Sequence, residues 1–171
     1  MGAAAIPHNE KLRLQVLQSL NVLDTPIEER FERITRMLAS IFDVPISGLS
    51  FVDKDRHWLK SVQGSDVVEL PREFSFCAHA ILGDDVLVIE DILADPKFAD
   101  NPLLEAGQGV RFYAGAPLMV ADNIRVGTLC LLDVKPRQLN ESDLTLLKDF
   151  STTAVNELLA RAGFNPEAKL A

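Results

Sequence analysis

The sequence predicts an α+β domain built on an antiparallel sheet. Two observations carry this. The apolar pattern runs helix, helix, strand, strand, short helix, strand, loop, strand, strand, helix, and adjacent strands are joined by short polar turns that suit hairpins. In addition, 171 residues fit one domain with a real core, and 47% apolar with 25% charged residues is ordinary for a globular chain. The boundaries read as a tail over residues 1–8, a single domain over 9–162 and a second tail over 163–171.

Each element follows from local signals. Residues 9–20 carry a helical stripe of Leu12, Val16, Leu17 and Leu20. At TPIEE, Thr25 is placed to cap a second helix, with Pro26 at its first position and Glu28 closing a capping box. Ile27, Phe31, Ile34, Leu38 and Ile41 form its stripe, and Pro45 bars its continuation. ISGLSFV (46–52) and HWLKSVQ (57–63) read as a hairpin around DKDR, VLVIE (86–90) as a short buried strand. VRFYAGAPLMV (110–120) and RVGTLCLLD (125–133) meet at the ADN turn. A final helix spans about 141–162, with Asn140 as cap, Asp143 three positions on and an apolar stripe from Leu144 to Leu158.

Several function classes are disfavoured at once. A net charge of −8 offers no basic surface for nucleic acid or anionic lipid. No apolar run approaches the roughly 18 residues of a spanning helix. Two cysteines without a framework spacing suit a reducing compartment, so the expected location is cytoplasmic.

The stretch EFSFCAHAIL (73–82) places Cys77 two residues from His79. Ser75 is a plausible cap, and Phe76, Ala78, Ala80, Ile81 and Leu82 surround the helix it would open, which marks a buried helix. At about 100° per residue the two side chains diverge by about 200°, so they cannot share one metal or one scissile bond. Cys77, in the first turn, is left as a candidate redox thiol; Cys130 reads as a small core residue.

In RFYAGAPL, alternation puts Phe112, Ala114, Ala116 and Leu118 on one sheet face and Arg111, Tyr113 and Gly115 on the other. The second set suits a ligand-facing surface, although Arg111 has a structural alternative in pairing with Asp91 or Asp95. Asn101 can cap a short helix opening at Pro102, whose free N–H groups suit a phosphate or carboxylate.

Taken together NVLDTP, FDVPI, VDKDRHWLKS, PREFSFCAHAI, DPKFADNPL, RFYAGAPL and VGTLCLLD resemble, in that order, a GAF domain of the type found at the N-terminus of bacterial sensor histidine kinases and diguanylate cyclases. The resemblance implies a central antiparallel sheet of five or six strands, terminal helices on one face, and a ligand pocket roofed by short helices and loops on the other. It implies a non-catalytic sensory module, dimeric through its terminal helices and coupled to a histidine kinase or diguanylate cyclase. The ligand and any cofactor stay unknown. Residues 91–109 hold no Cys-His pair, which argues against a covalent bilin in its usual place. The paired pocket-loop cysteines of free-methionine sulfoxide reductases are also missing. The expected ligand is a small polar or anionic molecule, with Arg111, Tyr113, Asp91, Asn101, His79 and Cys77 as candidate contacts. The competing readings are a redox enzyme or sensor using Cys77, and a dimerisation scaffold without a ligand.

Overall fold

The computed structural model describes residues 1–106 and 109–164; most of the expected 163–171 tail lies outside the described residues. Six strands form one antiparallel sheet in the order β3-β2-β1-β6-β5-β4. They are β1 (Ile46–Val52), β2 (Arg56–Gln63), β3 (Glu69–Pro71), β4 (Leu87–Ile89), β5 (Phe112–Ala121) and β6 (Ile124–Asp133). The sequence expectation lacked only the three-residue β3, which is too short to show a period. Helices α1 (Glu10–Ser19), α2 (Glu29–Phe42) and α5 (Glu141–Arg161) are the long ones, and α3 (Phe76–Ala80) and α4 (Leu103–Ala106) are short.

One face of the sheet packs under α1, α2 and α5. Phe31, Ile34 and Leu38 from α2 and Leu147, Ala154 and Leu158 from α5 meet Phe112, Ala114, Ala116 and Leu118 of β5 in a single apolar cluster. The alternation expected for β5 is therefore present. At the start of α5 the capping box forms as the residue pattern indicates: Asn140 accepts from the Asp143 N–H, and Asp143 accepts from the Asn140 N–H.

The start of α2 differs from expectation. The helix opens at Glu29 with Glu28 extended before it, and Thr25 does not cap. The reason is a buried cation. Lys60, 3% exposed, donates to Thr25 Oγ1 at 2.7 Å and to the Pro26 carbonyl, and pairs with Glu28 at 2.7 Å. Residues 25–28 are held out of the helix to solvate that ammonium, since a buried charge without partners is costly. Ile27 is accordingly 76% exposed instead of beginning the stripe. Lys60 reaches the helix side because β2 carries an extra residue against β1: Leu49 pairs with Ser61 and Ser50 with Leu59. This bulge turns Lys60 and Ser61 to the same face, where Ser61 meets Thr35 at 2.7 Å.

In α1 the buried line is Arg13, Leu17 and Leu20, while Leu12 is exposed. A helix stripe places Arg13 beside Leu17, but apolarity alone does not select it. Arg13 lies inside because it donates to the Val52 carbonyl at 2.6 Å and binds Glu10 through two nitrogens at 2.8 Å. Arg72 joins the same Glu10 carboxylate.

Candidate functional site

The opposite sheet face is covered by α3, α4 and the 3₁₀ turns at Arg72–Phe74 and Ile92–Ala94. A cavity of about 410 Å³ lies between this cover and the sheet. Its lining is mainly apolar, from residues such as Leu59, Val62, Leu70, Phe74, Leu104 and Leu132. That volume falls within the range of roughly 300–1,000 Å³ usual for small-molecule sites.

The polar lining residues are His57, Ser65, Ser75, Cys77, Tyr113 and Cys130, and all but Ser65 gather around Cys77. Ser75 caps α3 by accepting from the Ala78 N–H at 3.2 Å, and its hydroxyl lies 3.1 Å from His57 Nδ1. Cys77 is the second residue of that helix, and its side chain points at the sheet. Its sulfur accepts from Thr128 Oγ1 at 3.0 Å, from the Tyr113 hydroxyl at 3.2 Å and from Ser50 Oγ at 3.8 Å. Tyr113 lies flat along the sheet because Gly115 follows it on the same face: a Cβ at 115 would stand 2.1 Å from the phenol oxygen. Cys130 is opposite Gly48 on β1 and opposite Gly115 on β5.

Burial pushes the Cys77 thiol up, but the Cys130 thiol, the His57 imidazole and the Thr128 hydroxyl together pull it well below its usual value. Cys130 moves the opposite way. Its thiol donates toward Cys77 and is buried, and both raise it well above the ordinary range. Burial and the Cys77 charge likewise push the Tyr113 phenol up. These three directions describe one arrangement, in which ionisation is favoured at Cys77 and disfavoured at Cys130 and Tyr113.

Of the six candidate contacts, Cys77 and Tyr113 line the cavity. The other four are placed elsewhere. Arg111 is bound to Asp91 through two hydrogen bonds, at 2.9 and 2.7 Å, and Asp91 also accepts from the Leu93 N–H to open the 3₁₀ turn. The pairing read as the structural alternative is thus the observed one. It holds the Asp91 carboxyl below its usual value. Asn101 donates to the Phe74 carbonyl at 3.0 Å and accepts from the Leu103 N–H, tying the cover together. His79 stacks edge-on against Phe98 at 5.1 Å, away from Cys77, and burial followed by the Lys97 charge lowers its pKa. A polar or anionic occupant is not what this lining suits, because the cations expected to hold it are consumed in the lid.

Three residues around Cys77 escaped the sequence reading: His57, Thr128 and Cys130. The pairing register brings Cys130 and Thr128 onto the face that carries Tyr113. That parity was available once β5 and β6 were read as a hairpin. His57 gives no such signal, since its approach to Cys77 depends on where α3 docks.

The fold and this cavity agree with the comparisons. A family model described as GAF domain matches residues 26–158. The chain belongs to the GAF domain family. It is 38% identical over 152 residues to a cyclic di-GMP phosphodiesterase of Pseudomonas aeruginosa, covering 88% of this chain and 26% of that protein. The GAF domain therefore spans about a quarter of that relative. Among solved structures, the GAF domain of an Acinetobacter phosphoenolpyruvate-protein phosphotransferase superposes with a TM-score of 0.66 at 15% identity, covering 91% of this chain and 95% of the other. A free methionine-R-sulfoxide reductase from Neisseria meningitidis, in complex with its substrate, superposes at 0.64 with 20% identity, covering 95% and 98%. At these identities both establish the fold. Among the described residues no helix is long and apolar enough to cross a membrane, and no group of three or more His, Cys, Asp or Glu side chains is placed to hold a metal.

Proposed function

We propose that this GAF domain is a regulatory sensor whose signal is a small, predominantly apolar molecule seated between the sheet and the α3/α4 cover. The observation that carries the reading is the cavity itself: about 410 Å³, apolar over most of its wall, with no Asp, Glu, Lys or Arg among the described residues that line it. A packed scaffold would have filled this space, because protein interiors tolerate few voids larger than a water molecule.

No Lys or Arg lines the cavity among the described residues. A cyclic dinucleotide would bring two phosphate charges with no cation to meet them, at high desolvation cost. The domain thus senses something other than the molecule named in its relative's activity. Its output passes through α1, α2 and α5, the helices on the far face, to an effector: a histidine kinase, a diguanylate cyclase or, by analogy with the relative, a cyclic di-GMP phosphodiesterase. Pairing of two copies through those helices belongs to the same proposal.

A thermal-shift panel of uncharged apolar compounds tests it, run on the wild type and on Val62→Trp, which fills the cavity from β2. Compounds that raise Tm in the wild type are expected to lose that effect in the variant, and to slow hydrogen exchange in α5. A panel in which nothing binds the wild type at millimolar concentration overturns the reading.

A further inference from the structure

Cys77 is surrounded as an anion is surrounded. Three hydroxyl groups, from Thr128, Tyr113 and Ser50, point hydrogens at its sulfur. Cys130 lies two residues along β6 from Thr128, on the same face, and its thiol and the His57 imidazole both favour the Cys77 anion. His57 Nε2 is buried and makes no hydrogen bond, and the ring is 5% exposed. The Ser75 hydroxyl, which accepts from the Ala78 N–H, lies 3.1 Å from His57 Nδ1. Gly48 and Gly115 flank Cys130 on both neighbouring strands, and the Tyr113 phenol that binds Cys77 lies over Gly115. Both cysteines border the apolar cavity, and both are free thiols.

We infer that Cys77 and Cys130 form a peroxide-reactive thiol pair, that the apolar cavity admits an organic hydroperoxide to it, and that the product is a disulfide joining α3 to β6. The Cys77 thiolate attacks the distal peroxide oxygen. The S–O bond forms as the O–O bond breaks, the sulfur is oxidised to a sulfenic acid, and the alkoxide leaves. That alkoxide takes up one proton, equal to the one Cys77 released to solvent on ionising, and departs as an alcohol. With the thiolate gone, Cys130 no longer donates to it. Its sulfur attacks the sulfenic sulfur, the S–S bond forms, and hydroxide leaves with the Cys130 proton as water. The oxidant is the only co-reactant. The disulfide removes the acceptor that holds Tyr113 and Thr128, so the cavity wall changes with its redox state.

The inference rests on the cavity as the sensory site, but it is tested separately. Reduced wild-type protein is treated with cumene hydroperoxide or with hydrogen peroxide and followed by intact-mass and peptide mass spectrometry. The expected result is a Cys77–Cys130 disulfide that forms at least tenfold faster with cumene hydroperoxide, at a rate that reaches its plateau at lower pH than that of the unfolded thiols. In Cys130→Ser, dimedone should label Cys77 as the trapped sulfenic acid. In Thr128→Val the rate should fall roughly tenfold, the loss expected for one hydrogen bond to a charged sulfur. Thiols that react no faster folded than unfolded in urea overturn the proposal. Equal rates with the two peroxides overturn the cavity as the route, while the apolar panel continues to decide the sensory reading on its own.

Discussion

The two faces of the sheet handle polar groups in opposite ways. Beneath α1, α2 and α5, each deeply buried polar side chain is matched. Lys60 has three partners, Arg13 has two, Ser47 donates to the Thr35 carbonyl at 2.6 Å, and Ser151 donates to the Pro117 carbonyl at 2.7 Å. Under α3 and α4 the face keeps a cavity, two free thiols and two buried imidazole nitrogens without partners. One face spends its interactions on rigidity, and the other leaves chemical capacity unused in the fold. The difference singles out the α3/α4 face without reference to any relative, because unfilled space and unmatched polar atoms are what a folded chain otherwise eliminates.

That contrast can be attacked in order of expected effect. Phe31→Ala, at a fully buried site on the helix side, should cost about 3–5 kcal/mol in urea unfolding. Leu104→Ala, on the half-buried cavity rim, should cost less than about 1 kcal/mol. Equal losses would erase the distinction between the faces. Lys60→Met should cost about 2–3 kcal/mol, less than the full penalty for a broken buried pair, because Glu28 keeps Arg161 at 2.6 Å. Gly115→Ala should cost about 1–3 kcal/mol through overpacking and, more tellingly, displace the Tyr113 phenol from Cys77. Its readout is a slower reaction of Cys77 with iodoacetamide near pH 6, and an unchanged rate would mean that the phenol does not support the thiolate.

The smallest effect concerns pH. Burial pushes the Glu10 carboxyl up, but Arg13 and Arg72 outweigh it and lower its pKa from 4.5 to about 2. A depressed carboxylate contributes stability that is present above its unfolded value and is lost as pH falls toward the folded one. Unfolding free energy should therefore decline between about pH 4.5 and 2, and Glu10→Gln should flatten that part of the profile. A variant profile parallel to the wild type would remove Glu10 from the account.

How much of this was legible follows from where each signal resides. The sheet, its hairpins, the long helices and the α5 capping box are written in local period and cap chemistry, and the structure matches them. The failures on the helix side share one cause. Thr25, Ile27 and Leu12 were assigned by local pattern, whereas residues 25–28 are set by the buried Lys60 of β2 and the buried line of α1 by the bond from Arg13 to a carbonyl of β1. At the site, the helical phase that separates Cys77 from His79 was readable, as was the face of Tyr113. The true neighbours of Cys77 come from β1, β2, β5 and β6, and no spacing within residues 73–82 encodes them. Arg111 illustrates the remaining difficulty: an arginine near a pocket and an arginine that ties a lid look alike in sequence, and only the position of Asp91 separates them.

The Lys60 bulge has a mechanical consequence. Strand β2 supplies His57, Leu59 and Val62 to the cavity wall, and from the same strand Lys60 projects through the sheet to Glu28. Glu28 in turn binds Arg161, in the last turn of α5, which also donates to the Leu20 and Asn21 carbonyls after α1. A displacement of β2 by whatever occupies the cavity thus pulls on a strut of three charged side chains. Its far end is the place where two terminal helices meet. The bulge works as a fulcrum, with the load on one side of the sheet and the lever arm on the other.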